Sequence, residues 1–435
     1  MKPLLLIFFC MTFILVKAQS DEAKLETALY NLPDVSFKKT SKAGDKYLQY
    51  DLLIKQPLDH QHAEKGSFYQ RVKLIHKGFD NPTVIETEGY WLWGGGTGDE
   101  VEQILNANYV DVEYRYYGKS LPDSIDWQYL TIAQAAADLH HINELFKTIY
   151  TNKWISTGIS KGGETTIYYK YFYPHDVDLA IPYVAPIDNS LEDKRIYHFF
   201  DTIGTPECRQ KIKDFQTFLL QHEKEILPKL EWYSKGANLH YNYTGSIGKS
   251  FEYAVLEFSF SFWQYNGNCD SVPSNKNVDD YIDVLMKNSG LLPFSDEGLK
   301  EFEAHYYQAQ TESGYYGYNI EPFKQYLHYF TSNPSGAFPP KNAPAKPYDS
   351  SLNINVQNWL KDSGNNILYI YGGFDTWSSA GVIVSDKVNS KRFTIPNTSH
   401  ATARIQNMPA DMQADFVKKI KEMTGLDADV DVLKK

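Results

Sequence analysis

Residues 153–174, KWISTGISKGGETTIYYKYFYP, constrain the fold more tightly than any other stretch of the chain. Trp154-Ile155-Ser156-Thr157 reads as a buried strand, Gly158-Ile159-Ser160-Lys161-Gly162 matches G-x-S-x-G, and residues 164–173 read as a helix. Strand, tight turn and helix in that order is the setting in which the pattern makes a nucleophile elbow. A serine on so strained a turn needs neighbours almost free of side chains, so that the backbones can pass. Gly158 and Gly162 meet that need, and Gly163 adds room where the helix packs on the sheet. Ser160 Oγ is then expected at the C-terminal edge of the sheet. The N–H of Lys161, with the helix dipole behind it, would point at a developing oxyanion. The plainer alternative is a glycine-rich turn with a surface serine; the strand and helix on the correct sides favour the catalytic reading.

The remaining βα pattern builds around that elbow. Residues 46–55 and Ser67–His76 alternate apolar and polar and predict antiparallel strands, with a turn between them at 59–66. Asp59-His60-Gln61-His62 resembles part of a metal site but has no matching cluster downstream, so it reads as a polar turn. Thr83–Thr87 and residues 109–114 read as buried strands. The first runs into Glu88-Gly89-Tyr90 and a glycine-rich loop, where a second oxyanion N–H belongs, from Gly89 or Tyr90. No Gly-Lys-Ser/Thr follows, so this is not a phosphate loop. Thr131 is the expected N-cap of an amphipathic helix over 132–150 that carries His140 and His141, both read as structural. Residues 179–184 are a further strand. Late in the chain, residues 366–371 and 392–395 read as strands, followed by Asp375 and His400. Both therefore fall just past strand ends on the Ser160 edge, in the order Ser, Asp, His. The expected fold class is α/β, an α/β-hydrolase fold with a mostly helical cap. Residues 19–189 and 346–435 form the core. Residues 190–345, helical in pattern and rich in rings, form the inserted cap, which ends in a Pro-rich connector at 331–347.

Composition narrows the function classes. At 435 residues with 42% hydrophobic content, the chain can bury a large core. Its net charge of −11 and lack of a basic tract disfavour a nucleic-acid partner. Its 33 tyrosines suit a concave site for peptides or sugars. Lys2 followed by the apolar run 4–16 and Val16-Lys17-Ala18 predicts a signal peptide over 1–18, with a mature start near Gln19 and an exported product. No later stretch predicts a membrane span. Residues 19–45 read as polar and mobile. Cys208 and Cys269 are left either to pair or to remain two free thiols.

The chemistry these residues permit is acyl transfer. Ser160 would attack, His400 would take its proton and return it to the leaving group, and Asp375 would hold the imidazole tautomer. The reading calls for no cofactor and no metal. Tyr114-Arg115-Tyr116-Tyr117-Gly118-Lys119-Ser120-Leu121-Pro122, with Leu130-Thr131, Gln134-Ala135 and Ala137-Asp138, resembles the lysosomal Pro-Xaa carboxypeptidase and dipeptidyl-peptidase II family. The elbow Gly158-Ile159-Ser160-Lys161-Gly162-Gly163-Glu164, with Glu88-Gly89-Tyr90 and Ser399-His400-Ala401, is more similar to the secreted bacterial tripeptidyl-aminopeptidase-type serine peptidases. The lysosomal enzymes carry an aromatic residue where Lys161 stands, and many more cysteines. The resemblance covers most of residues 45–430 and implies an exopeptidase that removes short peptides from free N-termini, often with proline near the cut. Such an enzyme needs an anion for the substrate's α-ammonium. Glu88, Glu113 and Glu164 are the expected candidates, the alternative for each being an ion pair with Arg115 or Lys161. The rivals are an esterase or lipase on the same scaffold and a catalytically silent binding protein. Oligomeric state is left open.

Overall fold

A computed structural model of the chain describes residues 20–92, 99–265 and 267–434. The expected signal peptide and the glycine run 94–96 lie outside the described residues.

Among the described residues, nine strands form one sheet in the order β1-β2-β3-β5-β4-β6-β7-β8-β9. They are β1 (Val35–Lys39), β2 (Leu48–Pro57), β3 (Ser67–His76), β4 (Thr83–Thr87), β5 (Asn108–Val112), β6 (Trp154–Ile159), β7 (Leu179–Tyr183), β8 (Leu368–Gly372) and β9 (Lys391–Ile395). The first three pair antiparallel, as does β3 with β5; from β5 through β9 the sheet is parallel. Consecutive residues point to opposite faces and both faces are covered, which is why these strands read as nearly unbroken apolar runs. Val84, Ile155 and Ile370 pack on one face with residues from helices Glu100–Leu105 and Ala410–Thr424. Ile85 and Trp154 face the other way, toward helix Ile132–Lys147, and Tyr369 and Tyr371 toward helix Ser351–Asp362. Helix Lys161–Phe172 adds Ile167, Tyr168 and Tyr169 to that second face. This is an α/β-hydrolase fold.

Between β7 and β8 the chain leaves the sheet. Residues 195–308 are mainly helical, and residues from Ile196 to Phe338 form a hydrophobic core of their own. Helix Ile247–Tyr265 runs through the middle of it, burying fourteen of its residues from Gly248 to Trp263. Cys208 and Cys269 are joined by a disulfide within this segment.

The N-terminal stretch departs from expectation. Residues 21–30 are a helix, capped by Ser20 Oγ, which accepts from Ala23 N at 3.2 Å. Leu25 and Leu29 are fully buried against β2 and β3 residues, and β1 pairs along β2. Leu25 and Leu29, one helical turn apart, dock a segment whose overall composition is polar, with Leu32, Val35 and Phe37 packing into the same cluster. Among the described residues no helix is long and apolar enough to cross a membrane.

Candidate active site

The elbow forms where β6 meets helix Lys161–Phe172. Ser160 sits between them with φ 59° and ψ −121°, a positive φ that a side chain adopts only under strain. The surroundings hold it there. Ser160 N donates to Tyr183 O at 2.9 Å. Thr87 Oγ1, at the end of β4, lies 2.8 Å from Gly162 O and 2.5 Å from Thr166 Oγ1. A Cβ on Gly158 would strike the carbonyls of Gly162 and Thr87, and one on Gly163 would strike Tyr183 O. Glycine is therefore obligatory at these close approaches. Gly89 is pressed against the same turn, where a Cβ would collide with Lys161 and the amide of Gly162. Lys161 opens the helix, so its N–H has no intrahelical acceptor.

Asp375 and His400 follow β8 and β9, two and three strands along the same edge. His400 Nδ1 lies 3.0 Å from Asp375 Oδ1. A carboxylate only accepts, so Nδ1 carries the proton and Nε2 is left with the free lone pair. Asp375 is 0% exposed and its other oxygen accepts from Ser378 Oγ at 2.6 Å and Ser378 N at 3.0 Å. Among the described residues no hydrogen bond of 3.5 Å or less joins Ser160 Oγ to His400; such contacts commonly close only when substrate is bound. His400 N donates to Gln264 O at 3.0 Å, and Gln264 shares a cavity wall with Ser160.

That cavity, of about 270 Å³, lies between the sheet edge and the inserted segment. Ser160, Lys161, Glu164 and Tyr90 line it from the elbow side, and Glu257 and Gln264 from helix Ile247–Tyr265. Burial lowers the Lys161 ammonium, the nearby Glu164 opposing; burial raises the Glu164 carboxyl, Lys161 opposing. Lys161 Nζ also sits 3.5 Å from the centre of the Tyr114 ring. The two groups are a partly neutralised pair in a poorly hydrated place.

Of the three acids singled out from sequence, Glu164 lines the cavity and the other two do not. Glu113 is buried and accepts from Lys119 N at 2.9 Å, Ser120 Oγ at 2.8 Å and Leu92 N at 3.3 Å. Its carboxylate is committed to the 114–120 turn. Glu88 is half-buried at the end of β4, its amide 3.3 Å from Val112 O. Arg115 is wholly buried on Asp138, with contacts of 2.6 and 2.7 Å. His60 Nε2 reaches the same Asp138 at 2.7 Å, so the 59–62 turn is polar scaffolding. His140 bonds Asp176 and His141 bonds Gln56, both as structural groups.

Three cavity residues gave no signal in sequence. Glu257 accepts from Tyr318 at 2.7 Å and Tyr316 at 3.0 Å. Asp188 is buried beside Gly314. His305 Nδ1 is buried without a hydrogen-bond partner, and burial pushes its imidazole down to about 3, so it is neutral. No local spacing links residues brought together from such distant points of the chain. Away from the cavity, Glu223, Glu252 and His328 come within 4.8 Å of one another, as metal ligands do. His328 Nδ1 lies 2.6 Å from Glu223 Oε2, and Glu252 accepts the amides of His328 and Tyr329.

An elbow serine and an aspartate-bound histidine at one end of an α/β sheet define a hydrolase site of the acyl-transfer class. Residues 18–432 match the family described as PS-10 peptidase S37. The chain belongs to this family and is a serine peptidase. It is 32% identical over 413 residues to the prolyl tri/tetrapeptidyl aminopeptidase of Streptomyces mobaraensis, a match covering 93% of this chain and 86% of that one. A shorter match, 30% over 155 residues, relates 27% of the chain to 31% of the human lysosomal Pro-X carboxypeptidase. Among solved structures, a proline iminopeptidase from Mycobacterium smegmatis aligns with a TM-score of 0.42 at 14% identity, over 89% of this chain and 99% of that one.

Proposed function

We propose that the protein is an exported serine exopeptidase of the aminopeptidase type, releasing short peptides from free N-termini through an acyl-enzyme. Ser160 attacks the acyl carbon, His400 accepts its proton and delivers it to the leaving amine, and Asp375 orients the imidazole and stabilises its charged form. The amides of Lys161 and of Gly89 or Tyr90 bind the oxyanion. The observation that carries this is the Asp375–His400 contact of 3.0 Å beside a strained elbow serine. The prolyl tri/tetrapeptidyl aminopeptidase supports the N-terminal cut and a preference for proline. The segment 190–345 acts as a cap whose cavity excludes chains approaching by their middle, and the apolar run 4–16 supports export.

The test is Ser160→Ala. It abolishes turnover of peptide-arylamides with folding intact; retained turnover refutes the assignment. Mass spectrometry of products from a mixed peptide library gives the number of residues released. Ester hydrolysis far exceeding amide hydrolysis would favour an esterase instead.

A further inference from the structure

The cavity contains three buried acids, and they differ in how their charge is met. Glu164 has Lys161 one helical turn away on the same helix. Asp188 feels the Arg195 guanidinium, although Asp193 occupies it. Glu257 has neither. It is 8% exposed, and among the described residues no Lys, Arg or His side chain forms an ion pair with it. Its partners are hydroxyls. Oε2 accepts from Tyr318 at 2.7 Å and Tyr316 at 3.0 Å, while Oε1 has a single long contact, 3.4 Å, from Ser261.

A buried carboxylate without a counter-ion is costly, by several kcal/mol, even when it is hydrogen-bonded. Evolution tolerates the cost where the missing cation arrives with a ligand. Two tyrosines fix the orientation of Glu257 from one side and leave Oε1 the less engaged oxygen. Tyr315, Tyr316, Tyr306 and Trp377 line the same cavity, and aromatic rings can attract a cation. Glu257 and Ser160 line the same cavity, so the upstream end of a peptide acylating Ser160 shares that space with Glu257.

We infer that Glu257, held by Tyr316 and Tyr318, receives the α-ammonium group of the substrate and is the residue that makes the cavity read a free N-terminus. This rests on the aminopeptidase reading above and names its recognition group, which is none of the three acids expected from sequence. Binding at this point is also what limits product length: the distance from the carboxylate to Ser160 sets how many residues fit between the amine and the cut.

The experiment compares a free tripeptide arylamide with its N-acetyl counterpart, on the wild type and Glu257→Gln. The amide of glutamine keeps an oxygen for the two tyrosines, so packing is preserved. The expected result is a loss of about 100-fold in kcat/KM on the free peptide, mostly through KM, with a change below about threefold on the acetylated one. The rate of Ser160 labelling by a fluorophosphonate stays at the wild-type value. Equal loss on both substrates, or no loss on the free peptide, overturns the inference. A wild type that cleaves both peptides equally well removes the aminopeptidase reading itself, a separate outcome visible before any variant is made. Should Glu257→Gln not fold, Tyr318→Phe carries the same test: a selective loss on the free peptide of about tenfold supports the inference, and an unselective loss overturns it.

Discussion

Asp375 is the residue whose surroundings best define its job. It is buried at the end of β8 with one oxygen on His400 and the other on Ser378. Trp377 N adds a contact to Oδ1 at 3.3 Å. The carboxylate therefore cannot rotate without breaking several bonds, and the imidazole inherits that rigidity. An asparagine here keeps the shape but can present an N–H to Nδ1, which reverses the tautomer and removes the lone pair from Nε2. Asp375→Asn is expected to lower kcat on peptide-arylamides by about 10⁴-fold while thermal stability changes little. Steady-state kinetics with active-site titration checks it; a loss below about tenfold would separate Asp375 from the chemistry. Ser378, three residues on, was not legible as a partner, because a serine after a turn carries no signature until the turn is folded.

At the scale of elements, the sheet edge is held in register by a buried cluster rather than by the strands alone. Arg115, just beyond β5, reaches Asp138 on helix Ile132–Lys147 and also the carbonyls of Leu58 at 3.0 Å and Tyr129 at 2.7 Å. His60 completes the set. One guanidinium thus ties the end of β2, the exit of β5 and the helix that leads to the elbow. Asp138→Asn leaves the guanidinium buried without its carboxylate and should destabilise the protein by about 3–5 kcal/mol, read as a shift of the urea midpoint with the slope unchanged. A shift under 1 kcal/mol would make this cluster incidental. Elements of this kind were only half legible. Strands β2 to β9 were visible because both period-2 alternation and solid apolar runs survive in the residues themselves, and Thr131 does cap its helix, accepting from Gln134 N at 3.1 Å. The N-terminal helix and β1 were not, since Leu25 and Leu29 are too few to stand out in a polar stretch and β1 is defined by pairing with β2 rather than by its own pattern. Glu257 was invisible for a related reason: its meaning comes from Tyr316 and Tyr318, which lie on a different part of the inserted segment.

The whole molecule joins its sheet and its inserted segment at the edge that carries Ser160, Asp375 and His400. Helix Ile247–Tyr265 ends there, and the carbonyls of a helix's last turn lack partners within it. Gln264 O, in that last turn, takes the amide of His400 at 3.0 Å, and further back along the helix Phe260 O also accepts from Thr376 Oγ1 at 3.1 Å. Phe374 and Trp377 pack into the inserted segment's core from the sheet side. The loops bearing Asp375 and His400 are thus braced by the segment that also lines the cavity, so under the proposed function loosening that segment should disturb catalysis as well as specificity. The Cys208–Cys269 bond closes a loop with a sequence separation of 61 residues and fastens helix Pro206–Gln221 to the chain just beyond helix Ile247–Tyr265. By chain entropy a loop of that size contributes about 4 kcal/mol, less any strain. Replacing both cysteines by serine is therefore expected to lower stability by about 2–4 kcal/mol, concentrated in the inserted segment. On heating, amide turnover of that variant should fall at a lower temperature than the loss of far-ultraviolet circular dichroism, because the bracing of His400 fails before the sheet melts. Coincident loss of activity and ellipticity, as in a single cooperative transition, would mean that the two units unfold together and that the brace has no separate stability to lose.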